Sequence, residues 1–380
     1  MLKKIVVIGP VYPYKGGISH YTGLLVRSLA KKYDTVCYSY SLQYPKLLFK
    51  REQKDYTNKS FMVEGTKYVI NTANPFNWGK SAKLIREEKP DLVIVSWWHP
   101  YFAPCYQALT ARLKGIPMAF LCHNVLPHER FPLDSMLSRG TLKRAAFAIV
   151  HSEGDKADLN SLLPKVKVCK QVHPTYNAFK MKDMPRSEAR QLLKLHEETP
   201  MILFFGYVRK YKGLDILINA MAGSSVRPLL YVVGDFGKDK EEYLKLIEDK
   251  GISDIVRIED GYVPDTEVEK YFAAADLCVC PYRSATQSGI VQIAYGFGLP
   301  VIVTAVGGLP EVVDDGRTGY VVDPEDPEAL KAAIDRYFTE GRQQEFTENV
   351  KAESRRFSWD RMVETIEGAY EEICDADTRI

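Results

Sequence analysis

The sequence predicts an α/β protein made of two doubly wound parallel sheets in tandem. Three observations predict it. Short β-branched runs alternate with amphipathic stretches of helical length along the whole chain. The strand candidates are nearly continuously apolar, as strands covered on both faces are. The alternation breaks once, in mid-chain, and then restarts. At 380 residues the chain also exceeds one ordinary core, and domains of about 100–200 residues make two the natural division. A single eight-fold barrel, the competing α/β arrangement, would need evenly spaced repeats with no restart.

Taken in order, the strand candidates of the first half are residues 4–9, 35–40, 91–96, 118–122 and 146–151. Each is a run rich in Val, Ile, Leu or aromatic residues, and the first closes on a Gly-Pro turn before a helix over residues 19–31. The rhythm breaks at His173-Pro174, and the Lys-rich stretch to Thr199 reads as a linker with a short helix. A fresh strand opens at Met201, and the candidates of the second half are residues 201–206, 229–234, 255–258, 276–281, 300–304 and 319–322. Beyond them, Phe357-Ser358-Trp359 precedes an amphipathic helix with Met362, Ile366, Tyr370 and Ile373 along one stripe. The expected domains are therefore 1–174 and 175–357, with the helix of 358–380 free to return to the first.

Composition narrows the class. An apolar fraction of 46% and a charged fraction of 26% are those of a soluble globular protein. No apolar run approaches the roughly 18 residues of a membrane span, and the apolar run at the start is too short for a signal peptide. The seven cysteines form no CxxC pair, and Cys278 and Cys280 lie within an apolar run. They read as reduced core residues of a cytoplasmic protein. The net charge of +2 hides an asymmetry: residues 1–174 hold 26 Lys and Arg against 12 Asp and Glu, or +14, and the remainder holds 25 against 37, or −12. No helix-turn-helix, zinc-finger or RNA-recognition signature accompanies the basic half, which argues against nucleic acid. An anionic membrane or a phosphate-bearing substrate fits better.

Three loops carry candidate chemistry. The first runs from Gly9 through Gly16-Gly17 into the helix over 19–31. A strand, a Gly-rich turn and a helix start suit a phosphate, since free N–H groups and the helix dipole face the turn, and equally suit a tight βα turn whose glycines serve sterics alone. It is neither GxGxxG nor a Walker loop, which disfavours a nicotinamide cofactor and NTP hydrolysis. The second, Gly206-Tyr207-Val208-Arg209-Lys210-Tyr211-Lys212-Gly213, puts three cations at a strand end, where ligands of open α/β sheets bind. The third, Thr286-Gln287-Ser288-Gly289, brings hydroxyls and N–H donors to another helix start. For a plain N-cap the stretch is over-supplied with hydroxyls, which favours an anion cradle.

These loops occur in a recognisable order. Gly16-Gly17, Lys212-Gly213, Pro281-Tyr282, Gly298-Leu299-Pro300-Val301, Gly307-Gly308-Leu309-Pro310-Glu311 and Asp314-Asp315-Gly316-Arg317-Thr318-Gly319-Tyr320, followed by Asp326 and Ala329-Leu330, are collinear over nearly the whole chain. The sequence resembles the retaining glycosyltransferases of family 4, glycosyl transferases group 1. The resemblance implies the GT-B fold, two Rossmann-like domains facing each other across a cleft. It implies a retaining, hexosyltransferase-like transfer of sugar from a UDP- or GDP-sugar with no metal and no other cofactor. Gly16, Gly17, Gly206 and the turn Thr286, Gln287, Ser288 and Gly289 would hold the donor, and Tyr262-Val263 the nucleobase. His123, Arg209 and Lys212 would be catalytic. His123 matches the family's N-domain histidine and stands at a strand end. Two glutamates usual in the family fall on Ala285 and Ile293, so their roles do not carry over. The turn at 286–289 resembles a subset of the family, and the usual Arg after Gly206 is Tyr207, with Arg209 as the candidate replacement.

The acceptor side rests on His99, Asn124, His128 and Glu129, near the aromatic run Trp97-Trp98, which suits sugars and lipid chains alike. No Cys/His cluster has metal-ligand spacing. The stretch 44–51, with Lys46, Leu47, Leu48, Phe49, Lys50 and Arg51, has the composition of a membrane-surface segment or, slightly favoured on this stretch alone, of an ordinary solvated helix. The expected partners are a nucleotide-sugar, a glycan or lipid-linked acceptor and an anionic membrane surface, with no nucleic acid. The expected setting is cell-surface polysaccharide or glycolipid biosynthesis, in the cytoplasm or at the inner face of the plasma membrane. Two other readings keep the fold. A sugar-nucleotide 2-epimerase would need carboxylates and histidines poised for proton transfer. An inactive nucleotide-binding partner of another transferase would suit the missing glutamates.

Overall fold

A computed structural model describes residues 2–49, 52–56, 59–127 and 130–378 of the chain. The chain divides into two compact units, residues 1–172 with 358–380, and residues 173–357. The boundary lies two residues before the one read from the sequence.

The first unit is built on seven parallel strands: β1 (Lys4–Ile8), β2 (Asp34–Leu42), β3 (Lys67–Asn71), β4 (Leu92–Trp97), β5 (Met118–Cys122), β6 (Phe147–Val150) and β7 (Lys167–Lys170). Their order is β3-β2-β1-β4-β5-β6-β7. The central strands are sealed: every residue of β4 and β5 is buried, because helices cover both faces of a parallel sheet. The two strands that the sequence did not announce are the edges, β3 and β7. Only Ile70 of β3 is buried and no residue of β7 is, so neither has the apolar run that marks an interior strand.

The last helix, Trp359–Thr378, packs on this unit, with Met362 and Ile366 fully buried. Glu367 pins it there by accepting from Lys32 Nζ at 2.7 Å and from Tyr33 Oη at 2.5 Å. This helix also corrects the charge picture. Residues 358–380 bring two basic and seven acidic side chains, so the unit's excess is +9 rather than +14.

The second unit repeats the plan with β8 (Met201–Phe205), β9 (Leu229–Gly234), β10 (Val256–Asp260), β11 (Leu277–Cys280), β12 (Val301–Thr304) and β13 (Gly319–Val322). The order is β10-β9-β8-β11-β12-β13, parallel throughout. Two open sheets with distinct edges exclude the single barrel.

The stretch expected as a linker is instead packed into this unit. Its helix, Arg186–Leu192, is tied down by Arg190, which is 1% exposed. The Arg190 guanidinium donates to the carbonyls of Ala274, His196, Glu197 and Thr199 and to the Asp276 carboxylate at 2.9 Å. Of the seven cysteines, expected as core residues, five are buried, while Cys169 and Cys374 are partly exposed. Among the described residues no helix is long and apolar enough to cross a membrane.

Candidate active site

In a doubly wound sheet, ligands bind beyond the carboxyl ends of the strands where the strand order reverses. That point lies between β1 and β4 in the first unit and between β8 and β11 in the second.

In the second unit β8 ends at Phe205 and the chain turns at Gly206, whose φ of +103° suits glycine. Val208 is buried and its N–H donates to the Asp235 carbonyl at 2.9 Å, which fixes the loop. A single 3₁₀ turn, Lys210–Lys212, leads to Gly213, where a Cβ would lie 2.0 Å from the Pro281 carbonyl oxygen. The helix Leu214–Gly223 follows.

This geometry folds Lys212 back beneath the turn. Its Nζ lies 2.9 Å from where a Cβ on Gly206 would stand and 5.7 Å over the ring of Tyr282. Lys212 is 7% exposed and forms no ion pair among the described residues. Burial pushes its ammonium down to about 8, Arg209 adds to the fall, and the neighbouring thiols Cys280 and Cys278 oppose it.

Arg209 is partly buried. It donates to the Val208 carbonyl at 2.9 Å, and its guanidinium lies 5.6 Å over the ring of Tyr207. The residue at the family's usual Arg position thus serves as a platform for the Arg two places on. Lys210, the third cation, is exposed. Its carbonyl accepts from Arg283 Nη1 at 2.7 Å, and Arg283 also pairs with Asp215 at 2.7 Å, which braces the loop.

The turn at 286–289 lies beyond β11. Ser288 caps the helix Gly289–Gly296, its Oγ accepting from Val291 N at 3.4 Å, so this hydroxyl has the cap role. Thr286 and Gln287 are partly buried beside it. A Cβ at Gly307 would stand 1.6 Å from the Ala285 carbonyl oxygen, so the Gly307-Gly308 turn packs directly on this loop. Ile293 is buried at 7% exposure, a packing residue where the family has a carboxylate. Tyr262 is exposed and Val263 partly buried, just past β10.

In the first unit Gly16 has φ +103° and precedes the helix Gly17–Ala30, with open space around its Cα. His123 stands one residue past β5, its N–H donating to the Trp97 carbonyl at 2.8 Å. It is 8% exposed, and its ring meets Tyr21 edge-on at 4.7 Å.

Sequence reasoning missed Tyr21 and His151. His151 lies 5.9 Å from the His123 ring, with Nδ1 at 2.8 Å from the Gln171 carbonyl, and burial holds it neutral by pushing it down to about 4. The signal was present: like His123, His151 closes a strand run.

His99 accepts from Tyr101 N at 3.0 Å and stacks 6.0 Å from Phe131, and burial lowers its basicity. It therefore caps the turn Pro100–Phe102. Asn124 is partly buried next to His123, while His128 and Glu129 lie outside the described residues. Trp97 and Trp98 belong to the hydrophobic core of their own unit, donating to the Val125 carbonyl and the Tyr44 hydroxyl. Of the two readings open for this run, an acceptor-pocket wall or a packed plug, these two rings take the packed one, within the core of one unit. Leu47, Leu48 and Phe49 are exposed at 86%, 62% and 41%, whereas Lys50 and Arg51 lie outside the described residues. Among the described residues no three His, Cys, Asp or Glu side chains gather to hold a metal.

Comparison with known proteins places this geometry. Residues 199–340 match the family described as Glycosyl transferases group 1, and residues 15–176 match Glycosyltransferase Family 4. The chain belongs to the group 1, family 4 glycosyltransferases.

The D-inositol 3-phosphate glycosyltransferase 1 of Catenulispora acidiphila is 30% identical over 265 residues, covering 62% of this chain and 63% of its own. The D-inositol 3-phosphate glycosyltransferase of Thermobifida fusca is 33% identical over 171 residues, covering 42% and 39%. The chain thus spans less than two thirds of the length of these curated relatives. Among solved structures, sucrose-phosphate synthase from Thermosynechococcus elongatus superposes with a TM-score of 0.73 at 19% identity, covering 98% of this chain and 100% of its own. Anabaena HepE in complex with UDP superposes at 0.70 with 17% identity and complete coverage of both chains. This family member has the GT-B fold.

Proposed function

We propose that the protein is a retaining glycosyltransferase that moves a sugar from a nucleoside-diphosphate donor to a glycan or lipid-linked acceptor without a divalent ion. The observation that carries this is Lys212: a buried cation with no carboxylate partner among the described residues, beneath a glycine turn at the carboxyl edge of its sheet. Such a charge is costly unless an anion arrives to complete it. A departing diphosphate is that anion. Lys212 and Arg209 meet the negative charge that grows as the glycosidic bond breaks, and they do so without reorganising. They supply the positive charge that a divalent ion gives elsewhere. Gly16-Gly17, Gly206 and the residues 286–289 would hold the donor, and His123 would touch its sugar.

The relatives' acceptor, inositol phosphate, is anionic by name. The +9 excess of the first unit and the exposed Leu47-Leu48-Phe49 segment support an anionic lipid surface on the acceptor side. This fits a cytoplasmic enzyme peripheral to the inner face of the plasma membrane, in cell-surface polysaccharide or glycolipid synthesis.

The test is nucleoside-diphosphate release across UDP-, GDP- and ADP-sugars with the wild type and Lys212→Ala. The variant should lose about 10²–10³ in kcat, as loss of one preorganised charge typically does. Unchanged turnover removes the assignment. Nucleotide binding with no turnover on any donor would favour the inactive-partner reading, which Ala285 and Ile293 in place of two carboxylates suit.

A further inference from the structure

We propose that Tyr21 and Trp359 are positioning residues for His123, so that the helix formed by the last residues of the chain sets the orientation of a histidine placed near the donor sugar. The proposal rests on the reading of His123 as a catalytic residue. It extends that reading to side chains that neither the loops nor the family motifs single out.

Tyr21 lies in the helix that begins at Gly17, and none of its surface is exposed. The rings of His123, Trp359 and His151 pack on it. His123 meets it at 4.7 Å with the planes at 88°, Trp359 at 4.9 Å and 67°, and His151 at 5.3 Å and 53°. The edge-to-face arrangement is directional, because the positive rim of one ring is drawn to the negative face of the other. The backbone of His123 is fixed by its bond to the Trp97 carbonyl. The tilt of its imidazole is then set by the surface against which it packs, and Tyr21 is part of that surface. Tyr21 in turn packs against Trp359.

A second contact from the same helix reaches the same cluster. Thr365 Oγ1 lies 3.2 Å from the Gln171 side-chain oxygen, its one proton shared with the Arg361 carbonyl at 2.9 Å, and the Gln171 backbone carbonyl holds Nδ1 of His151 at 2.8 Å. The last helix therefore braces both histidines, His123 through Trp359 and Tyr21, and His151 through Thr365 and Gln171. Tyr21 is also carried on the helix whose start is the Gly16-Gly17 loop, so one residue ties the donor loop, the histidine and the returning helix together. Displacement of a reacting group by about 1 Å can cost 10²-fold in rate, which is why such bracing matters for turnover.

The experiment uses the full chain and two readouts. One is kcat against KM for the donor. The other is the imidazole signals of His123 and His151 in histidine-labelled protein, assigned with His123→Gln and His151→Gln. Trp359→Ala should lower kcat about tenfold with donor KM within about twofold. It should also shift the His123 signals, and Trp359→Phe, which keeps a ring there, should restore both. Wild-type kcat with unmoved His123 signals in folded Trp359→Ala protein would overturn the proposal. If Trp359→Ala does not fold, Trp359→Leu, which keeps more of the volume without a ring, decides by the same two readouts: wild-type kcat with unmoved His123 signals would overturn the proposal. Failure of the underlying reading looks different: His123→Ala would retain full turnover while the signals in Trp359→Ala still moved.

Discussion

Replacing Lys212 by Met should stabilise the protein while lowering its turnover by about 10²–10³. The side chain is of similar length and fills the same space beneath Gly206, so the change is mainly the loss of a charge. Burial lowers the ammonium from its ordinary 10.5 to about 8. That difference of roughly 2.5 pH units corresponds to about 3 kcal/mol by which the fold disfavours the protonated form. The sign follows from proton counts. Between pH 8 and 10.5 the unfolded chain binds a proton here that the folded chain does not, so wild-type stability rises with pH across that window. Below pH 8 both states are protonated and the full cost is present. Lys212→Met should therefore be more stable than wild type by up to about 3 kcal/mol at pH 7, and the advantage should vanish as pH approaches 10.5. In a unit of this size that is roughly 6–12 °C in the melting of the second unit. The measurement is paired thermal unfolding of the two proteins at pH 7, 8.5 and 10, in which the titrations of other groups cancel. A variant less stable than wild type at pH 7, or an advantage independent of pH, would refute the reasoning.

The same lysine predicts proton uptake: at pH 8.5 the binding of UDP should draw in roughly 0.5–0.8 proton, seen as a calorimetric enthalpy that varies with the buffer. Activity should survive EDTA, and complete loss restored by Mg²⁺ or Mn²⁺ would overturn the metal-free proposal. The protein should sediment with anionic vesicles at low salt and leave them at high salt, each basic residue near the surface contributing roughly 1 kcal/mol. Leu47→Ser with Leu48→Ser should weaken that partitioning without changing nucleotide affinity. Gly213→Ala should cripple the donor loop, because its Cβ would meet the Pro281 carbonyl oxygen at 2.0 Å and its φ is +68°. Wild-type melting and turnover in the Gly213→Ala protein would show that the turn can move.

What the sequence revealed follows from what each element buries. Strands sealed on both faces, such as Leu92–Trp97 and Met118–Cys122, are written as apolar runs and were legible. The edges Lys67–Asn71 and Lys167–Lys170 keep lysines and half-exposed residues, and no run distinguishes them from loops. The candidate site divides in the same way. Glycine turns and cations at strand ends are local signals, so Gly206, Arg209, Lys212 and His123 can be singled out as candidates from the sequence. Spacing cannot report burial, and neither the cost of Lys212 nor the core position of Trp97 and Trp98 could be read from it. Tyr21 and Trp359 are farther out of reach. They are 338 positions apart in sequence, and only the return of the last helix to the first unit brings their rings together.

Two buried cations in the second unit show why an unpaired charge is informative. Arg190 is 1% exposed and is fully provided for: four carbonyls and the Asp276 carboxylate accept from it, and Arg186 adds a second bond to that carboxylate at 2.5 Å. Its charge is neutralised within the fold, at the end of the sheet where β8 and β11 begin. Lys212 is nearly as buried, at 7%, yet its surroundings are a glycine turn, an aromatic face and two thiols. A structural lysine in that place would be replaceable by Met at a gain in stability, since breaking no ion pair costs nothing and removing an unpaired buried charge helps. Such a cost persists in a fold only where something outside the fold offsets it, as strained or uncompensated groups at functional sites do. For Lys212 the compensating partner must carry negative charge and reach the carboxyl edge of the sheet, beside the 286–289 turn. A nucleoside diphosphate has that charge and approaches that edge, so the same energetic defect that marks the residue also names the chemistry of what completes it.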